Sequence, residues 1–189
     1  MSESSREKSV RMFFALWPTA KERAALAAWQ PGLQALCGGH SMRAATLHVT
    51  LVFLGEVAQH RLEALQLAAQ EVEGKSFDLV FDTARYWGHN HIAYAAPHVV
   101  PPQLAQLVHD LEQRLNKHRF RFDQREYKPH VTLLRHAQWS DAPLPEVAKV
   151  VWKARSFALV QSAPDEEGAN YTVLARFPLR CREHFSPQL

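Results

Sequence analysis

The sequence predicts an α+β protein of two pseudo-symmetric lobes, each with an antiparallel sheet backed by helices, and an active-site cleft between them. The tetrapeptide His-Val-Thr-Leu occurs twice, at 48–51 and 130–133, each time within a similar order of strand and helix patterns. Internal repetition of this kind is typical of duplicated units. The 189 residues, 47% hydrophobic and 22% charged, suit a globular chain. We predict a single bilobal domain over 9–181, with flexible termini at 1–8 and 182–189.

The first repeated segment runs from about 11 to 86 and contains strand, helix, strand, helix and strand. Its opening strand, VRMFFALW, ends at Pro18, and Thr19 with Glu22 forms a capping box for a helix that Pro31 interrupts. The β-branched stretch TLHVTLVFLGEV predicts the strand that carries the first repeat. A helix follows over 59–74 because Leu and Ala recur at helical spacing, and FDLVFDTARYW alternates as a strand does.

The second segment runs from about 91 to 162 in a similar order. IAYAAP predicts a strand ending at Pro97, and leucines every three or four residues predict a helix from Pro101. The second His-Val-Thr-Leu strand comes next, and SFALVQS and YTVLARFPL form a hairpin around the turn APDEEGAN. Pro18 precedes His48 by 30 residues and Pro97 precedes His130 by 33. This shared spacing supports a true duplication.

Charge and composition set broad limits on the function. The net charge is +3 and the isoelectric point about 9.0, a balance that suits an anionic ligand without requiring one. No apolar run is long enough to cross a bilayer, and two distant cysteines fit a reducing compartment. We therefore expect a cytoplasmic protein without membrane association. The internal duplication completes the site within one chain, so we expect a monomer.

The two His-x-Thr pairs carry the chemistry. Side chains two apart on a strand share a face, so His48 lies beside Thr50, and His130 beside Thr132. Across a cleft, one neutral imidazole can accept a proton from an attacking water while the other, protonated, donates one to a leaving oxygen. Threonine hydroxyls can donate to non-bridging phosphate oxygens. The pattern predicts in-line displacement at phosphorus, although symmetry leaves open which histidine is the donor.

One arginine and two histidines outside the His-x-Thr pairs are further candidates for binding an anion or a metal ion. Arg135 offers a fixed positive charge. It is five residues after His130, so in an ideal strand the two side chains point to opposite faces, and Arg135 needs a bend or the end of the strand to reach the same anion. His89 and His91 form an HNH stretch with two imidazoles. No Cys or carboxylate stands nearby at ligand spacing, so we predict a polar turn rather than a metal site. We expect no metal and no cofactor.

At these residues the sequence resembles the 2H phosphoesterase superfamily, and most closely its RNA 2′,3′-cyclic phosphodiesterases, once described as 2′-5′ RNA ligases. The family pattern is H-x-T followed by an apolar residue, twice in the chain. The blocks RMFFAL, LHVTLVFLGEV, YKPHVTLLR and SFALVQSAPDEEGANYTVLARFPL resemble the family's blocks in order over roughly 11–179. The resemblance implies a bilobal fold and metal-independent opening of a 2′,3′-cyclic phosphate to a 2′-phosphate, with RNA ends or small cyclic nucleotides as substrates.

The resemblance also implies roles for individual residues. It makes His48 the proton donor and His130 the acceptor, and it makes phosphate contacts of Thr50, Thr132 and Arg135. The chain departs from the family at Thr46, where Asn is frequent, and at Tyr94, where many relatives have Trp. Tyr94 and Tyr127 are candidates for stacking on a base.

Three alternative functions share the predicted cleft. Hydrolysis of 2′-5′ oligoadenylates or of ADP-ribose cyclic phosphate needs the same two His-x-Thr pairs. Ligation through a 2′-5′ bond is the reverse of related chemistry. A catalytically silent RNA-binding module would keep a basic cleft but lose a His or Thr, and all four are present in this chain.

Overall fold

The computed structural model describes residues 8–166 and 168–181. Its helices are α1 (Ala20–Ala27), α2 (Gln30–Cys37), α3 (Leu62–Gln70) and α4 (Pro102–Lys117). Its strands are β1 (Ser9–Leu16), β2 (His40–Ser41), β3 (Val49–Ala58), β4 (Phe77–Phe81), β5 (Thr83–Trp87), β6 (Ile92–Ala96), β7 (Val131–Arg135), β8 (Val150–Ala154), β9 (Ser156–Asp165) and β10 (Gly168–Pro178). The termini predicted to be flexible lie outside these residues, apart from Lys8.

Two four-stranded sheets form the two lobes. The first has the order β10-β9-β1-β3 and the second the order β2-β7-β6-β5, while β4 and β8 form a separate two-stranded ribbon. All of these strand pairs are antiparallel. The arrangement confirms the predicted α+β class, and it places one His-Val-Thr-Leu strand in each sheet.

The two repeated segments exchange their last strands. β5 closes the first segment in sequence but pairs with β6 in the second sheet, and β9 closes the second segment but pairs with β1 in the first sheet. Helices cross over as well, because α2 contacts β7 and α4 contacts β3. Each lobe is therefore built from both segments, so the lobes do not correspond to 11–86 and 91–162.

A single large apolar core runs through both lobes. It contains Phe14 of β1, Leu65 of α3, Leu104 of α4 and Leu133 of β7, all fully buried. On β1 the side chains alternate, so Met12, Phe14 and Leu16 face this core while Phe13 and Ala15 pack in a smaller cluster on the opposite face of the sheet. No helix in the described part of the chain is long and apolar enough to span a membrane.

Several local predictions were correct and others need correction. The capping box is present, with Glu22 N–H donating to Thr19 Oγ1 and Thr19 N–H to Glu22 Oε2. Pro31 does not end a helix but lies in the first turn of α2, where its missing N–H costs nothing. The predicted strand over 77–87 divides at Asp82 into β4 and β5, which belong to different sheets. β8 was not predicted.

Candidate active site

Both His-x-Thr pairs line one cleft of about 1000 Å³ between the two sheets. His48 immediately precedes β3 and His130 immediately precedes β7. His48, Thr50, His130 and Thr132 are all half-buried, whereas the Val49 and Val131 between them are fully buried. The alternation predicted from the sequence therefore directs the polar side chains into the cleft and the valines into the core.

Each imidazole is held by the backbone in the same way. His48 Nδ1 lies 2.6 Å from the carbonyl oxygen of Thr46, and His130 Nδ1 lies 2.7 Å from that of Lys128. A carbonyl only accepts, so Nδ1–H must donate in both cases and Nε2 is left for chemistry. Thr50 Oγ1 lies 3.1 Å from His48 Nε2 and donates to it when the ring is neutral.

A β-bulge brings Arg135 to the cleft. Thr132 pairs with Tyr94 and Leu134 pairs with Ala93, so Leu133 is an extra residue in the strand. The extra residue shifts the alternation, because Leu133 and Leu134 are both buried and Arg135 becomes exposed on the cleft side. The bulge is the bend that Arg135 needs to share the face of His130.

The first motif has the same bulge. Thr50 pairs with Ala15 and Val52 with Phe14, which leaves Leu51 as the extra residue. Phe53 then occupies the position in β3 that Arg135 occupies in β7, and it also lines the cleft. The duplication thus extends to the backbone irregularity, while the cation is present on one side only.

Burial and charge keep both imidazoles neutral near neutral pH in the free protein. The pKa of His48 is lowered from 6.5 to about 4, chiefly by burial and to a smaller extent by the positive charges of His130 and Arg135, while the hydrogen bond to the Thr46 carbonyl acts in the opposite direction. The pKa of His130 is also lowered, first by burial and then by Arg135. A bound phosphate anion stabilises a protonated imidazole and acts in the opposite direction.

Aromatic rings surround His48, and none of them was predicted from the sequence to belong to the site. The Trp17 ring stacks on the imidazole at 5.6 Å between centroids, with 19° between planes. Phe13 lies at 5.0 Å and Tyr171 at 5.2 Å, the latter edge to face. Phe13 and Trp17 are four residues apart, so on an extended strand they lie on the same face, and this spacing could have suggested a shared role. A strand of apolar residues is, however, most simply predicted to lie in the core.

Tyr94 does not offer an open ring to a base. Only 6% of it is exposed, and it packs between Trp87, at 4.1 Å, and His130, at 5.6 Å. Trp87 lines the cleft and covers Tyr94, and its ring meets His130 edge to face at 4.6 Å. Trp87 thus lies over the Tyr94 ring on this wall of the cleft, and stacking of a base on Tyr94 stays a prediction.

Tyr127 lines the cleft, but its hydroxyl is turned away from solvent. The oxygen is fully buried without a hydrogen-bond partner, and burial raises the pKa of the phenol. The ring packs against the main core. Stacking of a base on Tyr127 stays a prediction.

The HNH stretch forms a turn between β5 and β6. His91 has a positive φ of 55° and its Nδ1 lies 3.2 Å from the Tyr86 hydroxyl oxygen, while His89 lies on the cleft wall near Trp87. Among residues 8–166 and 168–181, no three His, Cys, Asp or Glu side chains are grouped so that they could hold a metal ion.

Comparison with known proteins gives the family. The model of the 2′-5′ RNA ligase superfamily matches residues 17–166, which include both motifs and Arg135. The chain belongs to this superfamily. The match confirms the family that the motifs suggested.

Similar sequences from two bacteria and from the archaeon Archaeoglobus fulgidus carry one name. The RNA 2′,3′-cyclic phosphodiesterase of Escherichia coli is 29% identical over 169 residues, covering 89% of this chain and 96% of the relative. The protein of the same name from Thermus thermophilus is 30% identical over 188 residues, covering 90% and 91%. The similarity therefore extends over nearly the whole of both chains.

Solved structures agree with the fold. Escherichia coli LigT in its apo form superposes with a TM-score of 0.82 at 28% identity, covering 92% of this chain and 99% of that one. The complex of the same protein with 3′-AMP gives 0.80. The phosphodiesterase domain of MHV ns2, at 15% identity and a TM-score of 0.57, shares the fold.

Proposed function

We propose that this protein is a hydrolase that opens RNA 2′,3′-cyclic phosphates to 2′-phosphomonoesters by paired-histidine acid-base catalysis. The observation that carries the proposal is the pair of tethered imidazoles in one cleft, each with its Nδ1 hydrogen-bonded to a backbone carbonyl and its Nε2 available. Relatives at 29% and 30% identity bear the name of this activity.

The reaction follows from an in-line geometry. Water attacks phosphorus and gives a proton to Nε2 of neutral His130, while the bond from phosphorus to O3′ breaks and O3′ takes a proton from Nε2 of His48, which is in its imidazolium form because the bound phosphate anion stabilises that charge. The resemblance to the family supplies this choice of donor and acceptor. The products are a 2′-phosphate and a 3′-hydroxyl. The general acid and the general base each raise the rate by about 10²- to 10⁴-fold.

The remaining polar groups of the cleft stabilise the negative charge that develops on the non-bridging oxygens as phosphorus becomes five-coordinate. Thr50 and Thr132 hydroxyls donate to the non-bridging oxygens, and Arg135 adds a permanent positive charge that the bulge directs to the same place. Both histidines belong to one chain, so the site is complete in a monomer. The basic isoelectric point, about 9.0, favours an RNA end over a neutral ligand.

No observation favours the alternative substrates. Hydrolysis of 2′-5′ oligoadenylates or ADP-ribose cyclic phosphate would use the same groups, and the named relatives point to the RNA cyclic phosphate. Ligase activity is the reverse direction of related chemistry. A binding module that does not catalyse would not need both tethered imidazoles.

The test is product analysis on purified protein with a chelator present. An RNA oligonucleotide ending in a 2′,3′-cyclic phosphate is incubated with enzyme, and phosphorus NMR identifies the product isomer. We expect a 2′-phosphate, and we expect His48→Ala and His130→Ala each to lower kcat by about 10²- to 10⁴-fold.

His98→Ala is the matched control, because His98 is exposed and lies outside the cleft. It should retain wild-type turnover. A 3′-phosphate product, a requirement for added metal, or full activity in either cleft variant would contradict the proposal.

A further inference from the structure

The two histidines are equivalent in backbone but not in packing. Both donate Nδ1–H to the carbonyl two residues earlier. His48, however, has an indole stacked on its face, whereas His130 meets Trp87 and Tyr94 edge to face at 74° and 73°. A duplicated site has therefore acquired different environments for its two titrating groups.

Register identifies the residues that make the difference. Thr50 pairs with Ala15 in the first sheet and Thr132 pairs with Tyr94 in the second, so Ala15 and Tyr94 are equivalent positions. Two residues further along the same strand face, just before the proline of each segment, stand Trp17 and Ala96.

The two lobes therefore have their large aromatic residue at different positions on the equivalent strand face. In the second lobe it lies directly beside the threonine, as Tyr94, and in the first lobe it lies two residues later, as Trp17. Only the later position lets the ring lie flat on an imidazole in this structure.

We infer that Trp17 is a positioning residue that fixes the plane of the His48 imidazole, keeps water from its face, and thereby makes the two histidines chemically unequal. The inference rests on the proposed function and deepens it. Phe13 and Tyr171 complete the enclosure, so that the edge of His48 carrying Nε2 and Thr50 remains toward the cleft.

Several polar and charged groups face His48 and its aromatic cover. From β7 and the residue before it come His130 and Arg135, both of which oppose protonation, and from β10 comes the Tyr171 ring. The Thr46 carbonyl favours protonation. The Arg23 guanidinium lies 5.9 Å from the centre of the Trp17 ring and donates to the Pro18 carbonyl, so it holds the indole from outside.

Removing the Trp17 indole should change the His48 pKa and kcat in predictable directions. Burial is the largest cause of the low His48 pKa, so opening the face to water stabilises the charged form and raises that pKa from about 4 toward 6.5. The freed ring also loses its fixed plane, and misplacement of a catalytic group lowers kcat more than it changes KM.

The experiment compares Trp17→Ala and Trp17→Phe. The His48 pKa is measured by NMR of the imidazole resonances in phosphate-free buffer, with His48→Asn used to assign the signal. We expect Trp17→Ala to raise this pKa by about one unit or more and to lower kcat by roughly 10-fold or more. In the same variant, the high-pH fall in kcat/KM should move to higher pH. Trp17→Phe keeps a flat ring and should stay close to wild type in both.

Trp139→Ala is the matched control, because this exposed indole lies outside the cleft. It should leave the His48 pKa and turnover at wild-type values. If Trp17→Ala does not fold, Trp17→Leu replaces it, with the same expected directions. The inference would be overturned if Trp17→Ala, or Trp17→Leu in its place, left the His48 pKa and the pH profile of kcat/KM unchanged. It would also be overturned if Trp17→Phe shifted the His48 pKa as much as that variant does. Because the NMR reading needs no turnover, absence of activity in the wild type would overturn the proposed function separately.

Discussion

At the scale of single residues, the two His-x-Thr pairs share one cleft, and the rings around them differ in how far they are buried. His48, Thr50, His130 and Thr132 stand at matching places in two similar segments, and the structure places all four on one cleft. The rings around them could not be predicted in the same way, since an aromatic residue on a strand most often packs in the core. Tyr94 shows this limit, because it is buried beneath the Trp87 that lines the cleft.

The low pKa of His48 also predicts how stability depends on pH. The folded pKa, about 4, lies below the value of about 6.5 expected for the unfolded chain. The unfolded state therefore binds more protons between these values, and stability that is complete above pH 6.5 is lost as the pH falls toward 4. The loss attributable to His48 is on the order of 3 kcal/mol.

Urea unfolding at several pH values between 7 and 4 measures this loss. His48→Asn removes the titrating group and should lose less stability than wild type over the interval. His98→Asn alters an exposed imidazole and should follow the wild-type curve. Parallel curves for wild type and His48→Asn would show that the imidazole is not held neutral by the fold.

At the scale of the elements, the β-bulges in β3 and β7 determine which side chains reach the cleft. The sequence contained a signal for the bulges, because Leu133 and Leu134, like Leu51 and Val52, are consecutive apolar residues that break the alternation after threonine. Which residue would be extra depends on pairing with β6 or β1, and these partners are distant in sequence. The division of 77–87 at Asp82 was missed for the same reason.

Glycine at position 39 supports the end of β7 and is open to test. Its φ is +82°, and a Cβ there would lie 2.5 Å from the carbonyl oxygen of Arg135 and 2.9 Å from the nitrogen of Ala137. Gly39→Ala must displace the backbone that carries Arg135. We expect a lower kcat/KM for the cyclic phosphate and a stability loss of about 1–3 kcal/mol from the strained backbone.

Gly38→Ala is the matched control. Gly38 also has a positive φ, +63°, but a Cβ there meets nothing within 4 Å. This variant should lose stability through backbone strain while its kcat/KM stays at the wild-type value. Equal kcat/KM in both variants would show that the contact with Arg135 does not position the arginine.

At the scale of the molecule, the exchange of strands and helices joins the two lobes into one structure. Each sheet takes a strand from the other segment, and one core cluster includes residues of both sheets and all four helices. Sequence periodicity predicted the strands but not this exchange, because antiparallel pairing of β1 with β9 or β5 with β6 depends on long-range contacts. The cleft is therefore held by elements that cannot separate without breaking both sheets.

This exchange predicts that the two lobes unfold together. Leu33 of α2 is fully buried in the shared core, and α2, which comes after β1 and α1 in the chain, packs on β7 of the second sheet. Leu33→Ala should cost about 2–5 kcal/mol. Because the lobes are interlocked, native-state hydrogen exchange should show the same decrease in opening free energy for amides of β1 and β3 as for amides of β6 and β7. Leu67→Ala, at a position that is 52% exposed on α3, is the control and should change neither set. Loss of protection confined to one sheet would show that the lobes open independently and that the strand exchange does not couple them.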